Sequence, residues 1–181
     1  MQRADEHAQR VLACVPEWIW DGETLPVPVE EIADSVFGLL VRDVEDMSAA
    51  PGAPALASGQ SLSGLLLASR GEIWVNAQEA RTWPTRRRFT IGHELGHWEL
   101  HRDGQQSLFC RRTAVDEQPP PQPSVVDIEE EASRFAAALL MPAWLMVREH
   151  ARVGGDLDRL ITTFRTSGVA MTRRVADLFG A

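Results

Sequence analysis

The sequence predicts an α+β fold: a small mixed sheet, two long helices that share a polar site, and a short helical C-terminal segment. Three observations carry that expectation. Two apolar runs, Leu62 to Ala68 and Glu72 to Ala77, are joined by Ser69-Arg70-Gly71, a hairpin signal. Residues 88–101 read Arg-Phe-Thr-Ile-Gly-His-Glu-Leu-Gly-His-Trp-Glu-Leu-His, apolar nearly all the way round a helix, as a buried element is. Residues 127–141 place Ile128, Glu131, Phe135 and Leu139 at i, i+3, i+7 and i+11, a second helical stripe with a carboxylate in it.

At 181 residues the chain is long enough to bury one ordinary core. Its formal charge of −8 argues against nucleic-acid binding over the general surface, so direct DNA binding is not expected. All 18 basic residues are arginine. The N-terminus is polar, and no apolar run reaches the roughly 18 residues that span a bilayer. A soluble, cytoplasmic protein with no membrane partner is the expectation. Cys14 and Cys110 are the only cysteines, and they read as small buried apolar residues rather than ligands or a disulfide framework.

Taken in order, Ala4, Ala8, Val11 and Leu12 recur at helical spacing until Pro16 ends the pattern. Trp18 to Pro28 reads as an irregular crossing. From Val29 a second helix runs through Ile32 and Val36 to about Gly38 and passes into a strand at Leu39 to Asp43. Residues 48–61 form a Pro/Gly/Ala/Ser linker. The strand Glu72 to Ala77 is expected at the edge of the sheet, open to an extended peptide or covered. Thr82 is expected to cap the helix of the second motif, with Pro84 in its first turn. Arg86, Arg87 and Arg88 read as a solvated helix start, with contact to an acidic substrate or to acidic residues of the helix after Val29 as the alternative.

Within residues 88–101, His93, Glu94 and His97 form His-Glu-x-x-His. Residues four apart lie on one helix face about 6 Å along the axis, so both imidazoles can reach one ion. Zn²⁺ takes neutral histidine nitrogens at about 2.0–2.1 Å, and a catalytic zinc has three protein ligands and a water. Another divalent ion such as Mn²⁺ suits the same set. Glu94 is then free to take a proton from that water. His101 lies about 12 Å from His93 along a straight helix, too far to share the ion, and suits the helix end or the substrate side. Gly92 and Gly96 each cost about 1 kcal/mol of helix propensity, which a close approach by the helix bearing Ala132 and Ala136 would offset.

That helix is expected to supply the third ligand. Glu130 can pair with Arg134 at i+4 and Glu129 faces elsewhere, while a glutamate on a packing face is costly without a cation. Glu131 is therefore the expected ligand. A strand within Gln106 to Arg111 and an extended, proline-rich loop over Thr113 to Ser124, a candidate flap, lie between the two site helices. After Pro142 come helices over 143–152, 157–164 and 169–179, the last two a helix-turn-helix or an αα-hairpin serving only for packing.

Arg88 to His97 and the block Glu131-Ala-Ser-Arg-Phe-Ala-Ala-Ala-Leu-Leu-Met-Pro142 resemble the paired motifs of the ImmA/IrrE family of metallopeptidases, over roughly residues 30–181. The resemblance implies a zincin-like metallopeptidase domain over 1–142 with the helical segment 143–181 packed on it. It implies His93, His97 and Glu131 as zinc ligands and Glu94 as base. It also implies a protein substrate, a helix-turn-helix repressor cut to derepress stress, phage or mobile-element genes. Ser133 and Ala138 depart from the asparagine and glutamate common at those positions. A metal-binding regulator that sequesters a partner without cutting it, or a toxin-antitoxin component, is the alternative.

Overall fold

The computed structural model describes residues 2–50, 61–101, 108–112 and 123–180. Four strands, β1 (Leu40–Val44), β2 (Ser61–Leu67), β3 (Glu72–Asn76) and β4 (Leu108–Arg112), form one mixed sheet in the order β1-β3-β2-β4. β1 runs parallel to β3, while β2 is antiparallel to both β3 and β4. The hairpin turn after β2 is a short 3-10 turn closed by Gly71 at φ 64, a left-handed conformation that glycine adopts without a Cβ penalty. The expectation for β3 is corrected here. With β1 on one side and β2 on the other it is an inner strand, so its backbone groups are already paired and cannot receive a peptide.

β2 carries a bulge. Leu62 pairs with Arg111 and Gly64 with Cys110, which leaves Ser63 as the extra residue. Its effect is visible in the packing. Leu62, Leu65 and Leu67 all join Met47 and Ala50 in one small cluster, although an odd spacing between 62 and 65 would place them on opposite faces of a regular strand. Leu66 instead faces the main core with Ile73, Ile91 and Leu95.

The helices supply that main core. α1 (Gln2–Ala13) packs on α5 (Pro123–Leu140), and α4 (Pro84–His101) on both α5 and β2. Phe135, Leu139, Ile91 and Leu95 are fully buried, and each such side chain contributes about 1.5–3 kcal/mol of hydrophobic stabilisation. Leu145 and Met146 of α6 (Ala143–Val153), Leu160 and Phe164 of α7 (Leu157–Phe164), and Met171 of α8 (Gly168–Phe179) belong to the same cluster. Buried Arg174 ties α8 down, donating to the carbonyl of Met141 and pairing with Asp5 of α1. Among the described residues, no helix is long and apolar enough to cross a membrane.

Two local expectations are also corrected. Thr82 does not cap α4: it ends a separate short helix, α3 (Ala77–Thr82), and its hydroxyl donates to the carbonyl of Gln78. Asn76 caps α3 by accepting from the amide of Glu79. The arginine run is not simply solvated either. Arg87 donates to both oxygens of Glu30 in α2 (Val29–Ser35) and to Asp43 of β1, which raises its own pKa and lowers that of Glu30. Arg88 donates to the carbonyl of Val27. The run is therefore a clamp from α4 onto α2 and β1, as the acidic-contact alternative anticipated. Cys14, expected to be buried, is exposed just past the end of α1. Residues 51–60 of the linker and 113–122 of the expected flap lie outside the described residues, as does the side chain of Cys110.

Candidate metal centre

α4 and α5 meet along their smallest residues. A Cβ added at Gly96 would lie 2.9 Å from both the Cα and the carbonyl oxygen of Ala132, and one at Gly92 would lie 3.3 Å from the Cβ of Ala136. The lost helix propensity of two glycines is thus exchanged for backbone contact between the helices. At that separation, short reaches suffice for side chains on facing positions to touch.

What touches is His93, His97 and Glu129, whose potential ligand atoms all lie within 4.8 Å of one another. His93 Nε2 is 3.1 Å from Glu129 Oε2, His97 Nε2 is 3.2 Å from Glu129 Oε1, and the two Nε2 atoms are 3.0 Å apart. A tetrahedral ion with bonds of about 2.0–2.1 Å has ligand-to-ligand edges of about 3.3–3.4 Å, so the set needs to open only by tenths of an ångström. Ser133 Oγ lies 3.2 Å from His93 Nδ1. If Ser133 accepts from Nδ1–H, the lone pair of His93 falls on Nε2, which faces the carboxylate of Glu129, and a cation between the two would satisfy both.

The electrostatics favour the same state. Burial lowers the pKa of His97, more than the hydrogen bond to Glu129 restores, so its imidazole is held in the neutral form that binds metals. For Glu129, burial acts to raise the pKa, but hydrogen bonds from His93 and His97 bring it down to about 2, so the carboxylate is ionised.

Glu131 does not join this set, contrary to the expectation from the sequence. Its carboxylate lies 3.6 Å from His101 Nε2 and 4.0 Å from Arg3, on the α1 side of the helix pair. Glu130 pairs with Arg134 as expected and also with Arg173 of α8. The reason is helical phase. The stripe that meets the glycines is Ala132 and Ala136, and its continuation toward the N-terminus by three residues is Glu129, not Glu131. That signal was present in the sequence, since the small residues marked the contact face.

Glu94 is completely buried beside the cluster, and among the described residues neither carboxylate oxygen has a hydrogen-bond partner of good geometry. Burial pushes its pKa well above the usual carboxylate range, the charge of Glu129 adds to this, and the backbone amide of Leu66 acts the other way. Such a group holds a proton readily and gives it up only to a polar neighbour. His101, with its ring centroid 5.8 Å from that of His97, is turned to Glu131 instead of the cluster.

No curated protein matches this chain. A solved structure, a Mycobacterium tuberculosis transcriptional regulator, is similar with a TM-score of 0.62 at 16% identity. The match covers 97% of this chain and 47% of that one, so the two share a fold while this chain spans about half the length of the regulator. The family described as the IrrE N-terminal-like domain, Peptidase M78, matches residues 54–176 and takes in both helices of the cluster, and on that match the chain belongs to this peptidase family.

Proposed function

We propose that this protein is a zinc-dependent endopeptidase that cuts a helix-turn-helix transcriptional repressor. The observation that carries the reading is the convergence of two imidazoles and an ionised carboxylate, with a fully buried glutamate beside them. The ligands in this reading are His93, His97 and Glu129, the last replacing Glu131. A zinc ion, when bound there, supplies a Lewis acid for the scissile carbonyl and brings the pKa of its water toward 7.

The chain's own residues would then do the proton work. Glu94 accepts a proton as the nucleophile forms, and its raised pKa suits it to hold that proton until the leaving amine takes it. Ser133 fixes the ring of His93 through Nδ1. The chain has no tyrosine, so a second donor for the developing oxyanion has to come from an arginine, a histidine or a backbone amide.

Membership of the peptidase family supports hydrolysis of a peptide bond. The choice of a repressor as substrate rests on the resemblance to ImmA/IrrE peptidases, and the fold shared with a transcriptional regulator is in keeping with it. A purely structural metal site would need a fourth protein ligand, and the described residues supply three. The test is to mix the zinc-loaded protein with the helix-turn-helix repressors of its own genome and look for defined fragments. Glu94→Gln should keep zinc and yield none; fragments at an undiminished rate would remove Glu94 from the mechanism.

A further inference from the structure

The notch in the sheet behind Glu94 has no part in the metal reading, yet its geometry is restrictive. Gly64 of β2 faces α4 where Thr90 and Glu94, one helical turn apart, present their side chains. A Cβ at Gly64 would lie 2.3 Å from Thr90 Cγ2 and 2.7 Å from Glu94 Oε1. Contacts under 3 Å are not tolerated, so any other residue here would displace the carboxylate or the helix.

The phase that brings the glycine to this spot is set by the unbroken register of Gly64 to Leu67 against β3, and the bulge just before it at Ser63 is pinned from both sides. Ser63 donates from its hydroxyl to Glu79 Oε2 at 2.8 Å, and Asn76 Nδ2 donates to the carbonyl of Leu62 at 3.1 Å. The bulge turns Leu62 to the face opposite Gly64.

We propose that Gly64 is a positioning residue for Glu94: the gap it leaves in β2, phased by the pairing of β2 with β3, fixes where the carboxylate rests relative to His93 and His97. This inference rests on the reading of Glu94 as the base. A glutamate on a helix has three side-chain torsions, and among the described residues its oxygens have no hydrogen bond of good geometry, only the nearby amide of Leu66. Shape has to do the holding, and the sheet supplies it. A base displaced by about 1 Å loses roughly 100-fold in rate.

The experiment separates contact from catalysis. Thr90→Ser removes the Cγ2 atom and its overlap, so Gly64→Ala made in that background collides only with Glu94. In the zinc-free protein this substitution should lower Tm by roughly 3–10 °C. In a Thr90→Ser/Glu94→Ala background the same substitution should cost less than half as much. With zinc restored, Gly64→Ala/Thr90→Ser should bind the metal as Thr90→Ser does but cut the repressor that the parent cuts about 100-fold more slowly, in kcat rather than KM. Equal Tm losses in the two backgrounds, or undiminished cleavage by a protein that Glu94→Gln inactivates, would overturn the proposal. If the parent cuts nothing, the peptidase reading fails, and the Tm comparison still decides the contact. Should Gly64→Ala/Thr90→Ser not fold, folding of the version that also carries Glu94→Ala supports the contact, and its failure overturns it.

Discussion

Substituting alanine at Gly96 and at Gly92 should give opposite results, although both glycines lie on one face of α4. Each substitution gains about 0.8–1 kcal/mol of helix propensity. At Gly92 the new Cβ meets the Cβ of Ala136 at 3.3 Å, a tight contact with a single methyl that a few tenths of an ångström relieve. At Gly96 it meets Cα and the carbonyl oxygen of Ala132 at 2.9 Å and its carbonyl carbon at 3.3 Å, all backbone. No rotamer change clears those atoms, so α4 and α5 must separate, at a cost toward the upper part of the roughly 1–3 kcal/mol range for overpacking. The net expectation is near neutrality for Gly92→Ala and a loss of about 1–2 kcal/mol for Gly96→Ala. For a chain of this length that loss lowers Tm by roughly 2–8 °C. Urea melts and thermal scans of the zinc-free protein measure both. Ala136→Gly should remove whatever small penalty Gly92→Ala carries, while Ala132→Gly should not rescue Gly96→Ala because the obstructing atoms remain. A Gly96→Ala protein as stable as the parent would refute the close-approach account of the glycines.

The remaining predictions concern the carboxylates. Glu129→Gln should weaken zinc binding by more than the roughly 10–100-fold that loss of a supporting hydrogen bond costs, whereas Glu131→Gln should leave it nearly unchanged; competition against a chelating dye ranks the two, and the reverse order would restore Glu131 to the site. Glu149 accepts from Arg148 at 2.9 Å and Arg152 at 2.6 Å, and although burial acts to raise its pKa, the two arginines hold it below the ordinary 4.5. Because the folded value is the lower one, this stabilisation is present above pH 4.5 and lost as pH falls through the folded value. Glu149→Gln should therefore lower Tm near neutral pH and flatten its decline in acid; an equal offset at every pH would refute the linkage.

Most of the architecture was legible because it depends on local pattern. The helices of the C-terminal segment and the hairpin of β2 and β3 were readable from apolar spacing and from turn residues at Ser69-Arg70-Gly71. The meeting of Gly92 and Gly96 with Ala132 and Ala136 was readable too, since only close packing repays glycine in a helix. What failed depends on non-local order. Whether β3 lies inside or at the edge is decided by the parallel pairing of β1, which no turn signal announces. The bulge at Ser63 is decided by its partner strand. For the third carboxylate, an apolar stripe chosen from Phe135 and Leu139 gave the face toward the core, but the face toward α4 is offset from it by part of a turn. Three consecutive glutamates span most of a helix circumference, so that offset decides between them.

The separation of α4 and α5 controls both stability and the site, because the atoms that limit approach lie between the atoms that converge. Gly96 is next to His97, and Ala132 is one turn from Glu129. Any residue that pushes the helices apart to fit a Cβ also lengthens the distances of 3.1 and 3.2 Å from the imidazoles to the carboxylate. The spacing between His93 and His97 belongs to one helix and does not change. A set opened on one side alone fits a tetrahedral ion less well than one opened evenly, since all edges must approach about 3.3–3.4 Å together. Substitutions at the glycine face should thus be felt in metal affinity before they are felt in the arrangement of the histidines. The sheet contributes from the other side, where Gly64 bears on Glu94 independently of α5. The geometry of the His93, His97 and Glu129 cluster and the position of Glu94 therefore depend on two different contacts of the same helix.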